Sequence, residues 1–292
     1  MGRCTPARDG VSEPQEPLLA LAIEAARMAG GLLAERVRRG AEREVSSKST
    51  PTDLVSEADV ASQHAIRALL RERRSADGFV GEEEHESEPG TSGLRWIVDP
   101  LDGTVNFLFG IPQWSVSVAV ADEAGTIAGA VFDANRDELF SATREGPATL
   151  TATGGATVEL ARSAGHDPEH RPADDAAGAE AQLASAMVAT GLAYDAQVRR
   201  AQGEVLARLA PRVRDIRRFG SAALDLCWTA AGRCDAYYER SVKQWDVAAG
   251  LLICERAGLG KRELPACGEL PWGVLVAPPA LADALFELVA GP

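Results

Sequence analysis

At 292 residues the chain can bury one large core or two smaller ones, and its 46% hydrophobic content is that of an ordinary globular protein. With 43 acidic against 30 basic residues, its formal net charge of -13 argues against a nucleic-acid-binding surface as its main business. Five cysteines without Cys-x-x-Cys spacing read as reduced structural thiols, and the lack of a signal-like or membrane-length apolar run reads as a cytoplasmic protein with no membrane contact.

Residues 1–16 are rich in Pro, Gly and charge and read as a disordered tail. Pro17 opens a helix over 17–39, with Leu18, Leu21, Ala25, Met28, Leu32 and Val37 as its apolar stripe. Gly30 and Gly31 interrupt it and mark a place where another element packs closely. A polar loop over 40–52 leads into an acidic run at 53–59 and a second helix over 60–73. Phe79 and Val80 make a short strand ending in Gly81, Glu82 and Glu83. Strands follow at 96–98, 115–121, 127–132 and 139–142, with a turn near Gly125. Residues 161–181, rich in Ala, Asp, Pro and His, read as a loop or junction. Beyond them, strands at 186–190, 236–239 and 274–277 alternate with helices at 199–209, 221–231, 247–256 and 279–289. Asp246 reads as the cap of the helix at 247–256. The chain thus divides into an α+β half over 17–160 and an α/β half over 182–292.

The chemistry concentrates at 96–107. Trp96, Ile97 and Val98 suit a buried strand, and Pro100 keeps Asp99 extended at its end. Asp102 and Gly103 read as a turn, and Gly103 lets the backbone approach a ligand. The amides of Gly103 and Thr104 can then face an anion if a short helix begins there. Two carboxylates and a small-residue turn at one strand end are equipment for holding hard cations beside a phosphate. The plain alternative is a strand, an Asp-Gly turn and an Asp cap without chemistry.

Three other segments add acids. Asp53 reads as a group facing the site and accepting a proton, while Ser56 caps the next helix with Asp59 at its third position. Glu82, just after a strand-ending glycine, reads as a metal ligand, whereas Glu84 and beyond read as a solvated charge run. Asp246 offers a third aspartate from a distant part of the chain, with a helix cap as its alternative. The four histidines form no zinc spacing, and oxygen ligands without His or Cys favour Mg²⁺. No P-loop or dinucleotide fingerprint is present.

These blocks together resemble the inositol monophosphatase family of magnesium-dependent, lithium-sensitive sugar phosphatases. The blocks are 53–59, 81–83, 96–107 and 245–250, with a fifth at 220–225 through 235–239. The resemblance implies a layered α-β-α-β-α fold and a homodimer. It implies that Glu82, Asp99 and the Leu101 carbonyl hold one Mg²⁺, that Asp99, Asp102 and Asp246 hold a second, and that a third, weaker ion sits near Glu82. Thr104 and Asp53 would orient and deprotonate the attacking water, and the Gly103 and Thr104 amides would bind phosphate. Asp102, Ala222 through its backbone and Glu239 would meet the hydroxyls of a small phosphorylated polyol. The implied reaction is hydrolysis of myo-inositol monophosphate to inositol and phosphate. Histidinol phosphate, fructose 1,6-bisphosphate and nucleotide 3′-phosphates are alternatives within the same chemistry. A non-catalytic regulatory or scaffold protein of the same fold is an alternative of another class. The chain departs from the family pattern at 256–259, where Arg256, Ala257, Gly258 and Leu259 replace Glu-Ala-Gly-Gly. It departs again at 147–151, and at 260–271, which looks shorter and irregular.

Overall fold

Helix α1 (Gln15–Arg38) buries Leu18, Leu21, Ala22, Ala25, Ala26, Ala29, Gly30 and Leu33, a stripe at three- and four-residue spacing. Leu32 and Val37, expected on that stripe, are instead 48% and 44% exposed. The small residues form the true contact face because they let the helix lie close on a sheet, and a side chain at Gly30 would collide with the Phe132 ring. Against the expectation from sequence, α1 is long and apolar enough by length and composition to cross a bilayer. Its apolar stripe is nevertheless spent on the sheet.

The structure, a computed structural model, describes residues 14–39, 45–47, 54–83, 87–162 and 179–291, with the backbone alone for 45–47, 54–56 and 179. Of the tail expected over 1–16, residues 1–13 lie outside the described residues, as do Asp53 and most of the 161–181 junction, while Gln15 and Glu16 already belong to α1. After α1 come β1 (Val45–Ser47), β2 (Leu54–Ser56), α2 (Glu57–Arg73), β3 (Gly78–Gly81), β4 (Ser87–Glu88), β5 (Arg95–Asp102) and α3 (Thr104–Leu108). Then follow β6 (Ser115–Asp122), β7 (Gly125–Asp133), β8 (Glu138–Thr143), β9 (Ala148–Thr151) and β10 (Thr157–Leu160). The second half holds α4 (Ala179–Ser185), β11 (Met187–Thr190), α5 (Ala196–Leu209), β12 (Asp215–Arg217), α6 (Ala222–Ala230) and β13 (Ala236–Arg240). It ends with α7 (Gln244–Arg256), β14 (Gly260–Leu264), β15 (Gly273–Ala277) and α8 (Pro279–Val289).

β1 and β2 pair as a hairpin, and among the described residues the other strands form two sheets. The larger has eight strands in the order β10-β9-β8-β7-β6-β5-β3-β4, and the smaller has five, β12-β11-β13-β15-β14. Three apolar layers hold them together. α1 and α2 cover one face of the large sheet, α6 and α7 lie between the sheets, and α4, α5 and α8 cover the outer face of the small sheet. The result is the layered α-β-α-β-α arrangement, in which each sheet buries both faces.

Strand and helix positions follow the sequence pattern where the pattern is strong. β9, β10, β12 and β14 do not, since they are short edge-side strands whose residues are only partly buried. Residues 260–264, read as irregular, are a regular strand paired along its length with β15. The departure at 256–259 ends α7 instead, with Gly258 at φ 90° in the left-handed region that favours glycine.

Candidate active site

The strand β5 is buried from Trp96 onward, as its bulky residues dictate. It pairs in parallel with β3, Gly81 opposite Val98, and the Glu82 amide then donates to the Val98 carbonyl at 3.2 Å. Parallel register therefore delivers Glu82 and Asp99 to the same end of the sheet. On its other side β5 runs antiparallel to β6, with Asp99 opposite Ser117 but Asp102 opposite Ser115. Three steps on β5 match two on β6, a bulge between Asp99 and Asp102, in a stretch where Pro100 has no amide hydrogen to donate. In an unbroken strand, residues three apart face opposite sides. The bulge cancels that alternation, so Asp99 and Asp102 line the same cavity.

Gly103 follows at φ 98° and begins α3. A side chain there would stand 2.9 Å from the Gln113 carbonyl and 3.2 Å from that of Gly220. Asn106 locks the turn by donating to the carbonyls of Gln113 and Phe219, each at 2.7 Å. These contacts bring the N-terminus of α6 against the end of β5. There the Asp102 carboxylate accepts from the Ser221 hydroxyl at 2.6 Å, the Ala223 amide at 2.7 Å and the Ala222 amide at 3.2 Å. Asp99 accepts from the Leu101 amide at 3.1 Å.

Asp246 is not the cap of α7 expected from sequence. The helix begins three residues earlier than expected, at Gln244, and the Asp246 carboxylate reaches back to accept from the Lys243 amide at 2.6 Å. One of its oxygens is thus oriented by the first turn of its own helix. Glu82 is held from behind by a residue that sequence reading did not single out. Gln63 on α2 brackets the backbone of Glu83, donating to its carbonyl at 2.8 Å and accepting from its amide at 2.9 Å. The Gln63 amide fills the space where a side chain at Gly81 would go, which explains the glycine before Glu82.

Thr104 is buried, and its hydroxyl lies 2.8 Å from Asp59 Oδ1 and 3.2 Å from the Leu101 carbonyl. Asp59 is itself fully buried. Sequence reading gave it only a helix-capping role. The available signal was an acid on the first turn of α2, on the same face as the buried Ala58, Ser62 and Gln63.

The cavity these elements enclose has a volume of about 670 Å³. Glu82, Asp99, Leu101, Asp102, Gly103, Thr104, Ala222, Glu239 and Asp246 all line it. Of the predicted site residues, only Asp53 lies outside the described residues. Among the described residues, no three acidic side chains converge as a ready-made ion cage. They crowd one another all the same. Burial, with Glu82 adding repulsion, pushes Asp102 up to about 6, against relief from Ser221 and the α6 amides. Burial and then Glu82 push Asp246 well above the usual carboxylate range. Burial raises Glu239 to about 7, with the Tyr237 hydroxyl opposing and Asp102 reinforcing the rise. Buried carboxyls that raise one another form a site short of positive charge, and the all-oxygen donor set suits Mg²⁺. A second hollow of about 400 Å³, beside α5 and 267–270, mixes Arg200, Arg208, Glu204 and Glu269 and holds none of the predicted residues.

The sequence model of the inositol monophosphatase family matches residues 14–286. The chain belongs to that family. It is 39% identical over 275 residues to the inositol-1-monophosphatase of Mycobacterium bovis, covering 91% of this chain and 89% of that one. It is 37% identical over 243 residues to a Pasteurella multocida protein called Nus factor SuhB, with 83% of each chain covered. The solved structure of Mycobacterium tuberculosis SuhB superposes with a TM-score of 0.76 at 34% identity, covering 95% of this chain and 97% of that one. The family is typically magnesium-dependent, in keeping with the oxygen-only donors found here.

Proposed function

We infer that this chain is a Mg²⁺-dependent phosphoric monoester hydrolase that converts myo-inositol monophosphate to inositol and phosphate. The observation that carries the reading is the β5 bulge, which turns Asp99 and Asp102 into one cavity with Glu82, Asp246 and the left-handed Gly103 turn. Glu82, Asp99, the Leu101 carbonyl, Asp102 and Asp246 would hold about two to three ions. Bound there, Mg²⁺ would supply charge neutralisation for the phosphate and acidify water.

The chain's own groups account for the rest. The Gly103 and Thr104 amides bind phosphate oxygens. Thr104 donates a hydrogen bond to Asp59, so its oxygen can take a proton from the attacking water as its own proton passes to Asp59. Asp53 is the further acceptor proposed on the family resemblance. Asp102, Ala222 through its backbone and Glu239 meet the substrate hydroxyls. The Asp102 bonds to Ser221 and Ala223 hold that carboxylate in place, as outer-shell donors do for metal-binding groups.

Phosphate release with Mg²⁺ from inositol 1-phosphate, histidinol phosphate, fructose 1,6-bisphosphate and a nucleotide 3′-phosphate tests the reading, with Asp99→Asn as control and Li⁺ as inhibitor. Inositol 1-phosphate should be turned over best. Equal inactivity of wild type and Asp99→Asn would refute the enzyme and favour the scaffold role that the name Nus factor raises for a relative. A cytoplasmic homodimer without nucleic-acid or membrane contact completes the proposal. Exposed Phe109 and Ile111, on the loop after α3, are apolar surface that such a dimer would cover. Light scattering of the purified chain checks the dimer.

A further inference from the structure

Strand alternation puts Tyr237 and Glu239 on one face of β13 and Tyr238 on the other. Tyr238 accordingly belongs to the outer apolar layer, while Tyr237 is fully buried between the sheets. A buried phenol needs a partner, and the Tyr237 hydroxyl donates to Glu239 Oε2 at 3.0 Å. The whole Glu239 carboxylate, both oxygens and the carbon between them, lies over Gly191, where any side chain would overlap it. Gly191 directly follows β11, the parallel neighbour of β13, and precedes Leu192, Ala193 and Tyr194, which line the cavity. Glu239 is therefore seated on a bare backbone, with the Tyr237 hydroxyl holding one of its oxygens and leaving Oε1 without that donor. Burial and the Asp102 charge both press it toward its neutral form, and the Tyr237 hydrogen bond opposes that pressure.

We infer that Tyr237 is a positioning residue, which with the bare Gly191 fixes Glu239 so that Oε1 receives a substrate hydroxyl and the site prefers polyol phosphates. The inference rests on the phosphatase reading above. A phosphate ester with no hydroxyl to offer does not need the seat, so the seat acts on selectivity.

The test compares kcat/KM for inositol 1-phosphate and p-nitrophenyl phosphate in wild type, Tyr237→Phe, Gly191→Ala, Glu239→Gln and Tyr237→Phe combined with Glu239→Gln, all with Mg²⁺. Tyr237→Phe keeps the ring and removes one hydrogen bond to a charged group, so the inositol-to-aryl ratio should fall roughly tenfold, chiefly through KM. Gly191→Ala should move the ratio the same way, because it displaces the Glu239 carboxylate. In the Glu239→Gln background, Tyr237→Phe should change the ratio little, since the group it orients is gone. Parallel losses on both substrates, or additive losses in the double variant, would mean that Tyr237 only fills the core and would overturn the inference. A wild type inactive on both substrates would refute the phosphatase reading and the inference together.

Discussion

The crowded acids make stability depend on pH and on Mg²⁺ in a direction opposite to that of ordinary surface carboxylates. Raising Asp102 from 3.8 to about 6 means that ionising it in the folded chain costs about 3 kcal/mol more than in the unfolded chain. The stability is present in full below pH 3.8, where both states hold the proton, and is lost as pH rises through about 6. About half of that loss falls between roughly pH 5 and 7.5, or ~1.5 kcal/mol. In a chain of this size that lowers Tm by about 3–6 °C. Asp246 and Asp225 are raised too, mainly by burial, and steepen the fall. Asp122 and Asp215, lowered by Arg144 and Arg217, are already ionised in this window in both states and add no slope. Chelator-treated protein should therefore melt lower at about pH 7.5 than at pH 5, and saturating Mg²⁺ should raise Tm more at the higher pH. Asp246→Asn should raise the Tm of the chelated protein at the higher pH, because it removes a buried charge, while abolishing turnover. Differential scanning fluorimetry at the two pH values, with and without Mg²⁺, reads all three effects. A chelated protein whose Tm is flat or rising over this range, or an equal Mg²⁺ gain at both, would refute the repulsion argument.

Thr104→Ala should lower kcat by about 10²–10⁴ with little change in KM, and Thr104→Ser should restore most of it, since only the hydroxyl handles the proton. Steady-state kinetics with inositol 1-phosphate checks this, and Asp59→Asn should produce a smaller loss in the same parameter. Gly103→Ala should destabilise by about 1–3 kcal/mol and depress turnover, because alanine is strained at φ 98° and its Cβ meets the Gln113 carbonyl. Urea unfolding gives the first number. Arg240 is buried and donates to the carbonyls of Pro265, Pro271, Val289 and Ala290 at 3.0, 2.7, 3.2 and 2.5 Å. Arg240→Met should cost about 3 kcal/mol by orphaning those carbonyls and freeing the end of α8, seen as lost amide protection there.

Much of the site could be read one residue at a time. Pro100 after Asp99 and glycine after Asp102 each carry a local backbone reason, and each stands where that reason places it. What could not be read was support from a distance. Gln63 looks like a surface residue of α2 until the Glu83 backbone meets it, 20 positions later in the chain. Ser221 and Asp102 are separated by 119 positions, and no periodicity links them. Asp246 was misplaced by one helical turn because an aspartate at a cap and one at the third position carry the same composition signal.

Apolar runs and glycines acting over a few residues settled by themselves most of the longer strands and helices, and the acid-proline-acid-glycine order named a metal and phosphate chemistry. Tertiary structure decided which acids meet. Asp99 and Asp102 share a cavity because β5 bulges against β6 between them. Glu82 joins them through parallel register with β3, and Asp246 through the packing of α7 against the sheet. Register and layer packing depend on partners far along the chain, so spacing within any one segment cannot encode them.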